Sequence, residues 1–399
     1  MRVKFITFGC SRNQADTELM KGLVSKEHEL VETNPDVTVI NSCFVKKDTE
    51  EKIISLMHKI TNKLVLTGCL SQARPDLIEA FPNASFLGVK SFMRINEAIK
   101  NQLVDLSDGS PDFCSERVLT NPIISIVPIS EGCLGSCSYC CTKQARGNLV
   151  SRPIDNILSQ VKSDLANGVK EFWLTSQDTG CYGFDIKSDL SKLLDAITSL
   201  PGDFRVRVGM MNPQHALKIL LPLRKSFDSP KLYKFIHVPI QSGSDKVLAD
   251  MNRHYSVSDF WRVIDAFNGF SVSTDIICGY PTEGVSEWNE TISLVKKLKP
   301  AVLNISRFFS RPGTPASLLK CLPSWVIKER SRELTKLNEA LSLSRFQLLI
   351  GSPSVVLINE PGAGRDVFYN KVVVSAPFGS FVNARITGAK AHWLLGESI

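Results

Sequence analysis

The chain contains no window approaching the roughly twenty consecutive apolar residues that a membrane span requires, and its lysines and arginines are scattered along all 399 residues. A membrane protein is excluded on that ground, and no membrane partner is expected. A secretory leader is missing as well: the opening MRVKFITFGCSRNQ has only a short apolar run that ends in polar residues, and it reads as a first strand. Nor does one sign of charge dominate, since 47 basic residues stand against 40 acidic ones, a formal +7. That balance is compatible with a polyanionic partner but does not by itself identify one. An evenly paired set of cysteines is also absent. The eleven present are odd in number and clustered, which fits metal binding or catalysis in a reducing compartment better than a disulfide framework, so a cytoplasmic location is expected.

What the chain does have is 43% apolar residues, enough to build two or three domains. The first segment repeats one pattern. An apolar, β-rich run ends in cysteine and is followed by a helical pattern: VKFITFGC ends at Cys10, VTVINSC at Cys43 and KLVLTGC at Cys69. These read as βα units of a parallel sheet. The carboxyl ends of parallel strands share one edge, so three thiols separated by 33 and 26 positions can meet there. The bland alternative, three small buried cysteines, explains each residue but not their repetition next to glycine or serine.

The polar stretch from Asp105 to Pro122 reads as a linker into a second segment. From Ile123, six apolar runs recur with polar or glycine-rich ends: IISIVPISEGC, KEFWLTSQDTG, FRVRVGMMNP, YKFIHVPIQSGSD, SVSTDIICGYPTEG and AVLNISRFFSRPGTPA. Each is followed by room for a crossover helix. Six βα units predict a partial (βα) barrel with its chemistry on the loops after the strands.

The first of those loops, EGCLGSCSYCCTKQARG, puts Cys133, Cys137, Cys140 and Cys141 within nine residues. Structural zinc normally takes four protein ligands, and Cys141 is a poor fourth because adjacent side chains tend to point apart. A [4Fe-4S] cluster held by three thiolates leaves one iron open to a small molecule, so a set of three is itself informative. Cys114, Cys141, Cys181, Cys278 and Cys321 read as ordinary free cysteines.

CxxxCxxC with Tyr139 before the last cysteine, after the first strand of a βα barrel, resembles the radical S-adenosylmethionine superfamily. With ARGNLVSRP, LTSQDTGCYG, RVRVGMMNP, HVPIQSGSDKVLADMNRHY, TDIICGYPTEG and ISRFFSRPGTPA, the chain resembles tRNA methylthiotransferases over essentially its whole length. TSQDTG and GMMNP are most similar to the archaeal and eukaryotic branch that acts on N6-threonylcarbamoyladenosine at tRNA position 37. The resemblance implies two [4Fe-4S] clusters. One, on Cys133, Cys137 and Cys140, binds S-adenosylmethionine and yields a radical; the second, on Cys10, Cys43 and Cys69, holds the sulfur to be inserted. Such chemistry is apt because C2–H of adenine is not acidic, so acid–base catalysis fails there. Tyr139, Gln177, Asp178, Arg207, Gln241 and Ser242 sit where family members contact S-adenosylmethionine or shape its pocket, and Arg146 and Arg311 offer either a phosphate contact or a loop cap. The sequence departs from the family at Cys141, usually aliphatic, and at PTEG, which leaves Glu283 without a family role. The membrane tail of some eukaryotic members has no counterpart.

The last segment, from about residue 350, alternates strands with Gly and Pro turns and predicts a small antiparallel barrel. It resembles the TRAM domain, which implies RNA binding through Arg365, Lys371, Arg385 and Lys390, with Phe368, Tyr369 or Trp393 as stacking surfaces or core. An amphipathic helix is expected to precede it. The expected organisation is therefore α/β throughout its first two parts: residues 1–115 as a parallel-sheet domain with the auxiliary cluster, 116–349 as the radical barrel, and 350–399 as the RNA-binding barrel. Deleting the last part is expected to weaken tRNA binding and spare the chemistry. The implied partners are tRNA, an electron donor and a sulfur source. Alternative substrates within the family are isopentenyladenosine-37 and an aspartate of a ribosomal protein, and the rival class is a non-catalytic, metal-bound RNA-binding protein.

Overall fold

The computed structural model describes residues 1–107 and 116–399; Cys114, the 115/116 boundary and the middle of the expected linker lie outside the described residues. The first segment forms one parallel sheet of six strands, β1 (Arg2–Thr7), β2 (Glu29–Leu30), β3 (Val37–Ser42), β4 (Lys63–Gly68), β5 (Ser85–Leu87) and β6 (Val104–Asp105), in the order β2-β1-β3-β4-β5-β6. The three cysteine-bearing strands are thus neighbours. β3 is buried at every residue, as an inner parallel strand covered on both faces should be. The stretch after β4 is not one helix. It splits into Cys69–Ala73 and Leu77–Ala80 around Pro75, whose ring and missing N–H cannot continue a helix.

The central segment contains β7 (Ile124–Pro128), a short antiparallel pair β8 (Ser130–Glu131) and β9 (Val150–Ser151), then β10 (Glu171–Thr175), β11 (Arg205–Val208), β12 (Phe235–His237), β13 (Ser271–Cys278) and β14 (Val302–Arg307). β7, β10 and β11 pair in parallel, as do β12, β13 and β14, and a lone parallel bridge from Val206 to Leu232 joins the two groups. The six expected βα strands therefore lie in chain order as a partial barrel. Val127, Phe172, Leu174, Val206, Val208 and Ile236 pack outward on the surrounding helices. By the two-residue period of a strand, Trp173, Arg207, His237 and Asp275 line the inside.

The helix Ser324–Gln347 leads to a closed barrel of β15 (Pro353–Glu360), β16 (Ala363–Asp366), β17 (Lys371–Val373), β18 (Phe381–Ala389) and β19 (Leu394–Ser398), filled by Val356, Ile358, Val372, Ile386, Leu394 and by Phe346 from the helix. This barrel seals the amino-terminal end of the central one. Asn359 Nδ2 donates to Glu171 Oε2 at 2.6 Å, and Lys234 N donates to the Val367 carbonyl at 2.7 Å. The Tyr369 ring lies 4.9 Å from Tyr233 and 5.0 Å from Phe235. Tyr369 reaches that place from a left-handed backbone conformation (φ 64°), in a turn whose Asp366 carboxylate accepts the Phe368 and Asn370 amides. These contacts join the last segment to the floor of the central barrel. Removing it would uncover aromatic and acidic groups at the barrel floor.

The first and central segments share a core, in which Phe44, Cys69 and Leu70 pack with Cys141 and Ala145. Arg311 does not face RNA: it is buried against Glu50 at 2.5 Å and over the Phe44 ring at 4.8 Å, and so ties the loop after β14 to the first domain.

Candidate active site

Register fixes the first cysteine set. Thr7, Asn41 and Thr67 are level across β1, β3 and β4, so Cys10, Cys43 and Cys69 emerge two or three residues later from one sheet edge. A Cβ at Gly9, where φ is +130°, would lie 3.2 Å from the Cys43 Cβ and 2.9 Å from the Asn13 side chain, so only glycine lets the chain pass there. A mutual amide pair anchors this edge. Asn13 Nδ2 donates to Asn41 Oδ1 at 3.1 Å, Asn41 Nδ2 donates to the Asn13 carbonyl at 2.7 Å, and the Cys10 thiol donates to Asn13 Oδ1 at 3.5 Å. Cys10 is exposed, Cys43 partly so and Cys69 buried. Burial pushes the Cys69 thiol up to about 11, against the opposing pull of the Arg146 guanidinium. A thiol of that kind ionises readily only when a metal displaces its proton.

The second set occupies a single loop between β8 and β9. Gly135 sits between two of its sulfurs, since a Cβ there would lie 3.4 Å from Cys133 Sγ and 3.8 Å from Cys137 Sγ, and the Gly135 amide donates to Cys133 Sγ at 3.2 Å. Burial raises Cys133 to about 11, with the nearby Asp178, Cys137 and Cys140 adding to the rise. Three thiols gathered around a glycine turn fit a cluster with one ligand position left open.

The two sets are close neighbours. The helix Cys69–Ala73 packs on the helix Thr142–Arg146 that follows Cys140, with Cys141 buried between them. A buried quartet of charges crosses the same junction: Arg12 pairs with Asp16 (3.0 Å) and Glu131 (2.5 Å), and Arg146 with Asp16 (3.0 Å) and Glu131 (2.9 Å). Arg146 is therefore neither a phosphate contact nor a loop cap. Ser11, next to Cys10, also bonds Thr175 at the end of β10, Oγ to Oγ1 at 2.9 Å.

The other expected residues fall into two groups. Gln177 and Arg207 face the barrel mouth and interior, and Gln177 Oε1 and Arg207 Nε are buried without a hydrogen-bond partner among the described residues. Arg207 lies over the rings of Trp173 (5.7 Å), Phe235 (5.7 Å) and Tyr369 (5.3 Å). Such orphaned atoms suit a polar cofactor or substrate. Gln241 lies on the same rim in a left-handed conformation (φ 73°), bridged to Ile276. Tyr139 packs against Val247, Met251, Tyr280 and Phe308 and supports the loop from beneath.

Asp178 and Ser242 brace their loops through hydrogen bonds within the chain. Both Asp178 oxygens are engaged, Oδ1 by the Gly180 (2.9 Å) and Asn212 (3.0 Å) amides and Oδ2 by His215 Nδ1 (2.6 Å). Ser242 is buried on Thr291 and the Ser244 amide. Glu283 is bound by Arg330 at 2.5 Å and accepts from the Gly279 amide, another structural pair. In the last barrel, Arg385 and Lys390 are exposed, whereas Arg365 and Lys371 both turn to Glu360, at 3.6 and 2.5 Å.

Residues that the sequence reading did not single out complete the interior. His237 Nε2 bonds Asp275 Oδ1 at 2.9 Å and Asn304 Nδ2 donates to the same oxygen at 2.7 Å; burial of Asp275 is more than offset by His237, which leaves its carboxyl below the usual range. Segment Asp250–Arg253 clamps the second cysteine loop: Ser138 donates from N to the Met251 carbonyl (3.0 Å) and from Oγ to the Asp250 carbonyl (3.0 Å), Asn252 Nδ2 donates to the Ser136 carbonyl (2.7 Å), and Arg253 Nη1 donates to Cys137 Sγ (3.0 Å). MNRHY carried a signal only as part of a longer motif.

A partial barrel with a three-cysteine loop after its first strand defines a radical S-adenosylmethionine protein, and the radical SAM superfamily model matches residues 127–295, while the uncharacterized protein family UPF0004 model matches residues 2–88. Among solved structures, the radical S-adenosylmethionine methyltransferase TsrM of Kitasatospora setae, with cobalamin and a [4Fe-4S] cluster bound, shares the fold at a TM-score of 0.56 and 14% identity, over 79% of this chain and 76% of that one. The probable threonylcarbamoyladenosine tRNA methylthiotransferase of Pyrococcus horikoshii is 38% identical over 100% of both chains, and the threonylcarbamoyladenosine tRNA methylthiotransferase of Homo sapiens is 35% identical over 98% of this chain and 73% of its own. The chain belongs to the threonylcarbamoyladenosine tRNA methylthiotransferase family. No helix of the described residues is long and apolar enough to cross a membrane.

Proposed function

We propose that this chain attaches a methylthio group to C2 of N6-threonylcarbamoyladenosine at tRNA position 37, using a [4Fe-4S] cluster on Cys133, Cys137 and Cys140, a second on Cys10, Cys43 and Cys69, and S-adenosylmethionine. The observation that carries this reading is the juxtaposition at one barrel mouth of two sets of three cysteines, each one thiol short of a closed site. When bound, the clusters and S-adenosylmethionine supply radical formation and the sulfur. The chain's own residues do the rest. The Asp250–Arg253 clamp holds the loop, Gln177, Arg207 and Gln241 offer polar groups to the cofactor, and the Asp178–His215 and Ser242–Thr291 braces fix the loops that carry them. Arg207 and the His237–Asp275–Asn304 group give the barrel interior the cationic and hydrogen-bonding character that a polar, anionic threonyl substituent needs and an isopentenyl group does not. Exposed Arg385 and Lys390 provide phosphate contacts for the tRNA body. The reaction also requires an electron donor and a source of replacement sulfur, and a cytoplasmic setting accords with all three.

The test is anaerobic assay of the reconstituted protein on two tRNAs, with mass spectrometry of the nucleosides. Methylthio product on threonylcarbamoyladenosine-tRNA and none on isopentenyladenosine-tRNA is expected. Product only on the latter would overturn the substrate, product on a ribosomal-protein aspartate would overturn the substrate class, and failure to cleave S-adenosylmethionine would favour a non-catalytic RNA-binding protein.

A further inference from the structure

Each cysteine set has one buried arginine whose charge acts on a cysteine, Arg146 on Cys69 and Arg253 on Cys137, but the two arginines are paired differently. Arg146, at Cys69, is matched by Glu131 and Asp16, and with Arg12 the quartet sums to zero. Arg253, at Cys137, has no carboxylate of the described residues within ion-pair distance. Its Nε donates to the Tyr255 hydroxyl at 2.8 Å, its Nη2 to the Pro239 carbonyl at 3.4 Å, and its plane lies 4.8 Å from the Tyr255 ring centre. All of those partners are neutral. Asp275, a carboxylate that feels its charge, is already engaged by His237 and Asn304. Arg253 is 8% exposed, so water screens its charge little.

We propose that Arg253 is a positioning residue that sets the reducibility of the cluster on Cys133, Cys137 and Cys140, through an N–H···S bond to Cys137 and a positive charge with no carboxylate of the described residues in ion-pair contact. The inference rests on the proposed cluster being present at those three cysteines. Reduction adds one electron, taken from an external one-electron donor, and makes or breaks no bond; it increases the negative charge on the cluster and its sulfurs. A buried guanidinium at 3.0 Å stabilises the reduced form more than the oxidised form, which raises the potential. The cluster that must accept an electron to activate S-adenosylmethionine is thereby made easier to reduce.

The experiment is a potentiometric titration of the full-length, anaerobically reconstituted protein followed by electron paramagnetic resonance, with iron counted in every sample, for the native chain, Arg253→Gln and Arg253→Lys, each also with Cys10, Cys43 and Cys69 replaced by Ala so that a single cluster is read. In Arg253→Gln, the oxidised-to-reduced ratio at a fixed ambient potential should rise about tenfold, a shift of about 59 mV to the negative for one electron. Arg253→Lys keeps the charge but not the fork and should shift by less than half as much, and the second cluster should not move in either variant. An unchanged potential in Arg253→Gln with full iron, or an equal shift in both clusters, overturns the proposal. Loss of iron from both variants overturns it in favour of a purely structural clamp. Absence of iron from the native Cys133 set is a different result: it defeats the cluster reading itself.

Discussion

The two cysteine sets have the same number of thiols and are built in different ways. Cys133, Cys137 and Cys140 are a local device: eight residues turn around Gly135, and a distant segment, Asp250–Arg253, clamps the turn from outside. Cys10, Cys43 and Cys69 are a topological device, in which no two share a loop and their meeting depends on the register of three parallel strands and on the Asn13–Asn41 pair. A local site survives strain elsewhere but needs a brace. A topological site is braced by the sheet itself and by the Asn13–Asn41 pair, and anything that shifts the sheet will scatter it.

The largest expected effect separates the two by composition. Replacing Cys10, Cys43 and Cys69 together by Ala should lower the iron of the reconstituted protein from about eight atoms to about four, abolish methylthio product and leave S-adenosylmethionine cleavage in place. Iron and product assays on one preparation decide it. A full iron complement in the triple variant, or zinc in place of iron, would show that the sets do not act as two clusters.

Next in size is the junction between them. Glu131→Ala removes one of the two carboxylates that the buried Arg12 and Arg146 share. Removing one partner from a buried ion-pair network costs about 3–5 kcal/mol, and chemical denaturation of the variant should show a loss of that order. Because the quartet joins the first domain to the central one, domain docking should weaken and the Cys10 set should lose its proximity to Cys133. A stability change below about 1 kcal/mol, the scale of exposed ion pairs, would mean that the quartet does not hold the domains together.

A smaller change sharpens the contrast in construction. Asn41→Ala removes a buried side chain that both donates to and accepts from the residues around Asn13, at an expected cost of about 1–3 kcal/mol. Iron should be lost preferentially from the Cys10 set, while the loop set keeps its iron because its clamp lies in another domain. Equal loss from both sets, followed by the spectroscopic signature of each, would contradict the topological account.

The same difference explains how much could be read from the sequence. The loop site was legible from spacing alone, since CxxxCxxC keeps its ligands within one turn. The topological site was legible because βα repetition ends each strand in cysteine, a pattern that survives long separations. The six barrel strands and the closing barrel were visible as apolar runs, whereas β2, β5 and β6 are too short to show a period. What the sequence hid is pairing across domains. Nothing around Arg146 or Arg311 announces that their partners are Asp16, Glu131 and Glu50, and their positive charge suggested RNA instead. Asp178 was placed by its position in TSQD alone, and nothing in that motif announces the bonds it makes to the Gly180 and Asn212 amides and to His215. Tyr369 reads as one more aromatic of a small barrel until the docking of that barrel makes it the floor of another.

The smallest expected effect concerns the surface that holds tRNA. Because the closing barrel seals the central one, its role in RNA binding is best tested by point changes and not by deletion. Arg385 lies on the outward face of β18, between inward Ala384 and Ile386, and Lys390 follows the end of that strand, so both present charge to solvent. Removing one cation that neutralises a phosphate should flatten the slope of log affinity against log salt by about 0.7 to 0.9. Arg385→Ala and Lys390→Ala should each show that change with S-adenosylmethionine cleavage unaltered. Arg365→Ala and Lys371→Ala should change the slope less, since Glu360 holds both side chains against the barrel. The reverse pattern, a slope that responds to Arg365 and Lys371 and ignores Arg385 and Lys390, would mean that Glu360 yields both partners to the tRNA and that the opposite face of the barrel meets the phosphates.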